Sequence, residues 1–318
     1  MHSDTVREAR LVVTVLAALV IAIAPLRALA QDLEEEVEEQ AYPQFKVIGQ
    51  GGFTYQGEAD IDGGGSVQVN RYDAAIATQT DLTTELHWTN TLFFGADDYD
   101  FDGGGFSAGN PWNTILALRM GTKLRYQLTQ DWGIWAGGIL MFTPESGADW
   151  GRSVTGGGRV GADYQFTKTL FVSAGVAIIT QIEDDVKLAP SIGVKWVPHE
   201  LWVVRVGAVP VSGGVATGAE VQYQVTKPVQ LGLGVLFQER RFRLENSGVV
   251  APDGVGQENN LPLRLRVGWN INDNFSLHFM GGVAFAGELQ LDNQNGNRLR
   301  KENYDPAAFF TVRLLAGI

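Results

Sequence analysis

The chain has 318 residues, a formal net charge of -12, 45% hydrophobic residues, 39 Gly and no Cys. The missing Cys excludes disulfides, thiolate catalysis, Fe–S clusters and Cys-ligated zinc, and the acidic balance argues against a nucleic-acid surface. Gly is well above its usual share of roughly 7%, yet it lacks a collagen period and the apolar content is ordinary, so the chain reads as a folded protein.

In chain order, the first segment stands apart. Arg7 and Arg10 precede a run over 11–24 that is apolar apart from Thr14, and Pro25 leads into Ala28, Leu29 and Ala30. This predicts a Sec signal peptide over 1–30; the run is too short for a membrane helix, which needs about 20 residues. Residues 32–39 then hold six carboxylates. A block of like charge predicts a solvated acidic leader over 31–44, with a plug contacting the lumen as the alternative.

From residue 45 to 318 the pattern changes to a period of two. Leu116, Leu118, Met120, Thr122, Leu124, Tyr126 and Leu128 alternate with Ala117, Arg119, Gly121, Lys123, Arg125 and Gln127. The same alternation returns over 215–225 and 261–271. Segments this long exceed ordinary globular strands and suit tilted membrane crossings. The pattern predicts an all-β fold, a closed antiparallel transmembrane β-barrel of about fourteen strands within a range of about 12–16. Their starts fall near Lys46, Ser66, Leu82, Asn113, Trp132, Val154, Thr169, Lys187, Leu201, Val215, Val229, Leu261, Phe275 and Ala307.

Five junctions share one form: Tyr126, Tyr164, Trp196, Tyr223 and Trp269 each precede a tight polar turn and a new apolar strand. Aromatics at one height predict an interfacial girdle. Residues 97–111, 145–153, 245–260 and 290–305 are rich in Gly, Asp and Asn and predict longer loops at the other end, giving short periplasmic turns and long extracellular loops.

Alternation also assigns a lumen. Arg119, Lys123, Arg125, Arg159, Lys195, Arg205, Arg240, Arg264, Arg266 and Arg313 are expected to face inward, against Glu85, Asp163 and Glu220. Basic rings favour anions in water-filled pores; the competing reading is a lumen filled by the same side chains. Many Gly, among them Gly232 and Gly234, leave room for inward side chains or let the wall bend.

Residues 287–297, the run Tyr304-Asp-Pro-Ala307 and the run Pro252-Asp-Gly-Val-Gly256 carry a resemblance. From about residue 45 onward the chain resembles the uncharacterised bacterial outer-membrane β-barrel proteins. The resemblance implies that fold and an outer-membrane location, with no activity attached. Such barrels usually end in Phe, whereas this sequence reads Leu315-Ala-Gly-Ile318, with Ile318 continuing an outward row through Ala308, Phe310, Val312, Leu314 and Ala316.

Enzymatic readings are weak. His87, His199 and His278 lie in the barrel region; Glu85 beside His87 would orient an imidazole, but no nucleophile accompanies the pair. Asp98, Asp100 and Asp102 with Gly103 match part of a calcium loop, yet Gly109 occupies the position of the bidentate Glu. A solvated acidic loop is the competing reading. The expectation is a non-enzymatic monomer without cofactor. Its partners are outer-membrane lipid, the barrel-assembly machinery and small solutes, not nucleic acid. It acts as a passive channel for small, anionic solutes or, alternatively, as a non-conducting structural or surface-binding barrel.

Overall fold

The computed structural model describes residues 44–212 and 214–317. The segments expected to be a signal peptide (1–30) and an acidic leader, as far as residue 43, lie outside the described residues, as does Ile318. Fifteen strands follow in order: β1 (Gln44–Asp60), β2 (Ser66–Asp81), β3 (Leu86–Asp102), β4 (Thr114–Gln127), β5 (Trp132–Phe142), β6 (Val154–Thr167), β7 (Leu170–Gln181) and β8 (Asp184–His199). Then come β9 (Trp202–Val211), β10 (Gly214–Gln224), β11 (Val229–Arg243), β12 (Val255–Asn270), β13 (Phe275–Asp292), β14 (Arg298–Tyr304) and β15 (Ala307–Gly317).

Each strand pairs antiparallel with its chain neighbour through β13, and β15 closes the ring between β13 and β1. β14 continues the β15 stave above Asp305 and Pro306: β13 pairs with β15 over Phe275–Ala284 and with β14 over Gly287–Asp292. The result is a closed barrel of fourteen staves, in which each stave is paired on both sides along at least part of its length. Phe45, Trp88, Leu124, Ile134, Leu231, Leu265 and Phe279 are among the exposed large apolar side chains of the outer surface. On β12 this outward row runs from Leu261 to Trp269.

The strands continue beyond that apolar band at the loop end, and there their polarity inverts. On β3, Tyr99 and Phe101 are buried inside while Asp100 and Asp102 are exposed outside. Two register shifts lie near this level, one on β1 between Gln56 and Ala59, and one on β13 at Ala286, which has φ 48° and lies opposite Asn259–Leu261 of β12. One extra residue flips every later side chain to the other face. After the bulges, Ala59, Ile61, Leu289 and Leu291 turn inward.

This inversion corrects three predicted loops. Residues 97–102 belong to β3, 255–260 to β12, and 290–292 with 298–304 to β13 and β14. Their polar residues had the look of loop because some, such as Asp100 and Asp102, face water on the outside of a strand, and others, such as Asp97 and Glu258, enter an ionic network inside it. The long connections that remain, 103–113, 143–153 and 244–254, all lie at this end.

One seam is incomplete. β8 and β9 pair from Gly193 with Gly207 down to His199 with Trp202, and not above. Pro190 and Pro210 lie in the unpaired stretches, where a missing N–H leaves no ladder bond unmade. Gly207 adopts φ 83°, and a Cβ there would meet the Ile192 carbonyl at 1.8 Å, so this close crossing requires glycine.

Candidate functional site

The lumen is closed at the loop end by a folded cap. Trp112 stands at its centre, with ring centroids 5.8 Å from Tyr99, 5.2 Å from Phe101, 5.8 Å from Phe106 and 5.2 Å from Phe242, all steeply edge-on. Such arrangements suit the quadrupoles of the rings. Above β5, residues 143–146 run as a strap joining β4 to β11: Leu116 N–H donates to Pro144 O at 2.8 Å, and Glu145 N–H donates to Arg243 O at 2.7 Å. The buried Glu145 carboxylate accepts from the backbone N–H of Asn113 at 2.8 Å and of Glu245 at 2.9 Å. It thereby ties three loops together. Burial dominates its titration and pushes its pKa up to about 6.

Beneath the cap is an ionic layer centred on Glu258. Its carboxylate accepts from Arg71 Nη2 at 2.9 Å, Tyr99 OH at 2.6 Å, Tyr304 OH at 3.0 Å and Asn260 Nδ2 at 3.0 Å. Asp97 pairs with Arg71 at 2.7 Å and with Arg240 at 3.1 Å. Arg241 pairs with Asp292, Arg243 with Glu183, and Lys187 with Glu239. These five bases and five acids come from staves on several sides of the barrel, so they cross-brace it.

Below this layer lies a cavity of about 510 Å³. Phe93, Met280, Leu236 and Phe309 give it apolar walls, while Arg119, Arg264 and Arg313 enter it as cations and Asp73 as an anion. Lys187, Val211 and Ser212 also line it, so it reaches the wall at the incomplete β8–β9 seam. The β9–β10 connection leans across the lumen there: Ser212 Oγ donates to Asp73 Oδ2 on β2 at 2.5 Å.

Nearer the turn end the predicted basic residues are paired less completely. Arg125 meets Asp163 at 2.8 Å, Arg264 and Arg266 share Glu220 at 2.7 and 3.3 Å, and Arg313 meets Asp73 at 3.1 Å. Arg119 instead lies 4.9 Å from the Phe93 ring centre, and Lys123 and Arg159 lie 5.1 and 5.8 Å from that of Trp135. Neither these three nor Arg205 or Lys195 forms an ion pair among the described residues. Lys195 borders a small recess with Lys168, Gln165 and Phe171 at the turn end.

Some expected placements differ. Glu85 is not a lumen residue: it occupies the tight β2–β3 turn, where Thr83 Oγ1 donates to it at 3.1 Å. His87 therefore meets Asp81, Nδ1 to Oδ1 at 2.5 Å, because the register sets those two residues opposite each other. Asp98, Asp100 and Asp102 do not form a calcium loop. They alternate along the outer face of extended β3, where an 1-3-5 spacing spreads ligands along a line, and no cluster of three ligating side chains occurs among the described residues. Arg240 belongs to the ionic layer rather than to the lower wall.

Sequence reasoning missed Arg71, Asp73, Asp97 and Glu258. The first two were readable from alternation along β2; the last two lay in segments taken for loops.

The five expected girdle aromatics all lie near the turn end. Tyr126, Trp196 and Trp269 are exposed outward. Tyr164 packs on Trp132 at 4.6 Å and on Phe166 at 4.5 Å, and Tyr223 packs on Trp202 at 4.7 Å. Trp132, Trp202 and Phe166 thus extend the belt.

No protein-family model and no curated protein sequence matches the chain. Among solved structures it is similar to the Pseudomonas putida toluene transporter TodX, with a TM-score of 0.50 and 10% identity over 87% of this chain and 90% of that one. It is also similar to the KdgM porin, with a TM-score of 0.34 and 8% identity over 83% and 98% of the two chains. At such identities the likeness is one of fold: like TodX, this chain is a closed antiparallel β-barrel of fourteen staves.

Proposed function

We infer that the protein is a passive outer-membrane channel for small solutes, with a preference for anions. The observation that carries this reading is the cavity of about 510 Å³ within the barrel, bounded below by bases that outnumber their carboxylate partners. Fixed positive charge in a narrow water-filled passage raises the local concentration of anions and repels cations. Passage along the barrel axis requires the cap to yield at the extracellular end. The incomplete β8–β9 seam offers the same cavity a second opening through the wall. The toluene-transporter likeness accords with a channel role, and the apolar cavity walls suit solutes that carry an apolar body.

The runner-up is a non-conducting barrel with a structural or surface-binding role. It is favoured by the aromatic cap and strap over the mouth. Bilayer recordings of the refolded chain under a salt gradient separate the two. The channel reading expects single-channel steps with an anion-selective reversal potential; silence at all voltages supports the non-conducting barrel, and cation selectivity defeats the basic-wall argument.

A further inference from the structure

We propose that Arg205, Arg264, Arg266 and Arg313 form a discrete binding site for a small carboxylate with an apolar body. The proposal rests on the solute-route reading of the lumen and names the ligand class.

The four arginines lie on β9, β12 and β15, in one neighbourhood of the lower wall. Arg205 is opposite Glu220 in register, Glu220 is opposite Gly234, and Gly234 is opposite Arg264. Arg266 is two residues further along β12, and Arg205, Arg264 and Arg313 all lie within electrostatic reach of it. Glu220 and Asp73 are the carboxylates that pair with members of this group, so four positive charges share two negative ones. Each guanidinium also keeps a buried N–H without an acceptor: Nη1 of Arg205 and Nε of Arg264, Arg266 and Arg313. A buried donor left unpaired is costly because it has given up water for nothing, and a native structure that carries four in one cluster calls for an acceptor.

The wall is shaped for such a ligand. A Cβ on Gly232 would stand 3.2 Å from Arg266 Nε, and one on Gly52 would stand 3.2 Å from Arg313 Nε, so glycine keeps the space beside both guanidinium groups. Arg264 and Arg313 open into the cavity beside Met280 and Phe309. Planar guanidinium forks match the geometry of a carboxylate, while the neighbouring apolar side chains receive a hydrocarbon body. Repacking of the four side chains around a bound carboxylate supplies acceptors to the open donors and removes the local excess charge.

The test is calorimetric titration of the refolded barrel in detergent, run alongside the conductance measurement. The probes are benzoate, its neutral analogue benzamide, and inorganic phosphate. Benzoate is expected to bind at least roughly tenfold more tightly than either of the others, and Arg313→Gln to weaken it by roughly tenfold. Glu220→Gln, which releases two arginines from their internal partner, is expected to tighten it; a purely structural cluster would give no gain. Heat-modifiable gel migration verifies that each variant is folded. Equal binding of benzamide overturns the role of charge, and tighter binding of phosphate overturns the apolar body. Conductance without benzoate binding overturns this site and leaves the channel standing, whereas benzoate binding without conductance retains the site and overturns the channel.

Discussion

The two ends of the lumen use the same residue types to opposite effect. At the loop end, five bases meet five acids, and the layer is sealed by Trp112 and its aromatic neighbours. Toward the turn end, Arg119, Lys123, Arg159, Lys195 and Arg205 form no ion pair among the described residues, and the remaining arginines share few carboxylates. A buried arginine is held as structure when its charge and its donors are matched internally. Where the matching is incomplete, the remaining interaction is available to something that enters. The contrast therefore separates side chains that hold the barrel from side chains whose charge is left open to the lumen.

The strongest way to break the contrast is to empty the cap. Trp112→Ala removes a side chain that is 1% exposed and packs on four aromatics; the expected loss is about 3–5 kcal/mol of stability. Denaturant unfolding in detergent measures it, and the same variant is expected to conduct more than the parent. Unchanged stability would show that the cap is not a core. A comparable loss, about 3–5 kcal/mol, is expected for Glu258→Ala, which leaves Arg71 and Arg240 with only Asp97 between them. Benzoate should not restore it. The matching lower-wall variant, Glu220→Gln, is expected to regain stability on adding benzoate, because ligand that binds only the folded state stabilises it by mass action. Equal behaviour of the two would erase the distinction between the ends.

The smallest effect is a pH dependence of the strap. The folded pKa of Glu145, about 6, lies above its ordinary 4.5. A carboxyl with a raised folded pKa favours the folded state most below pH 4.5, and that contribution is lost as pH rises through about 6. The change amounts to about 2 kcal/mol. Hydrogen exchange at the Asn113 and Glu245 amides is expected to speed up between pH 5 and 7 beyond its intrinsic rise, and Glu145→Gln should remove that excess.

Much of the wall was legible in the sequence because lipid imposes a strict rule: outward positions must be apolar, so period-two rows such as Leu261 to Trp269 stand out. The strand starts at Ser66, Trp132, Val154, Val229, Phe275 and Ala307 coincide with the observed ones. The cap was hidden by a different rule. Above the apolar band the outside faces water, the bulges after Gln56 and at Ala286 exchange the two faces of β1 and β13, and acidic strand residues imitate loops. Pairings such as Glu258 with Arg71, 187 residues apart, follow from ring closure rather than from local pattern. The binding site was half visible: alternation placed its arginines inward, but their open donors depend on which carboxylates lie across the barrel.

The inverted crown has a consequence for proteolysis. Strands that continue past the apolar band, apolar within and acidic without, build a small water-facing β-domain directly on top of the barrel. An approaching protease therefore meets a folded dome instead of slack loops. Cleavage should fall first at the exposed stretch around Val249, which is 88% exposed, and leave the strap uncut.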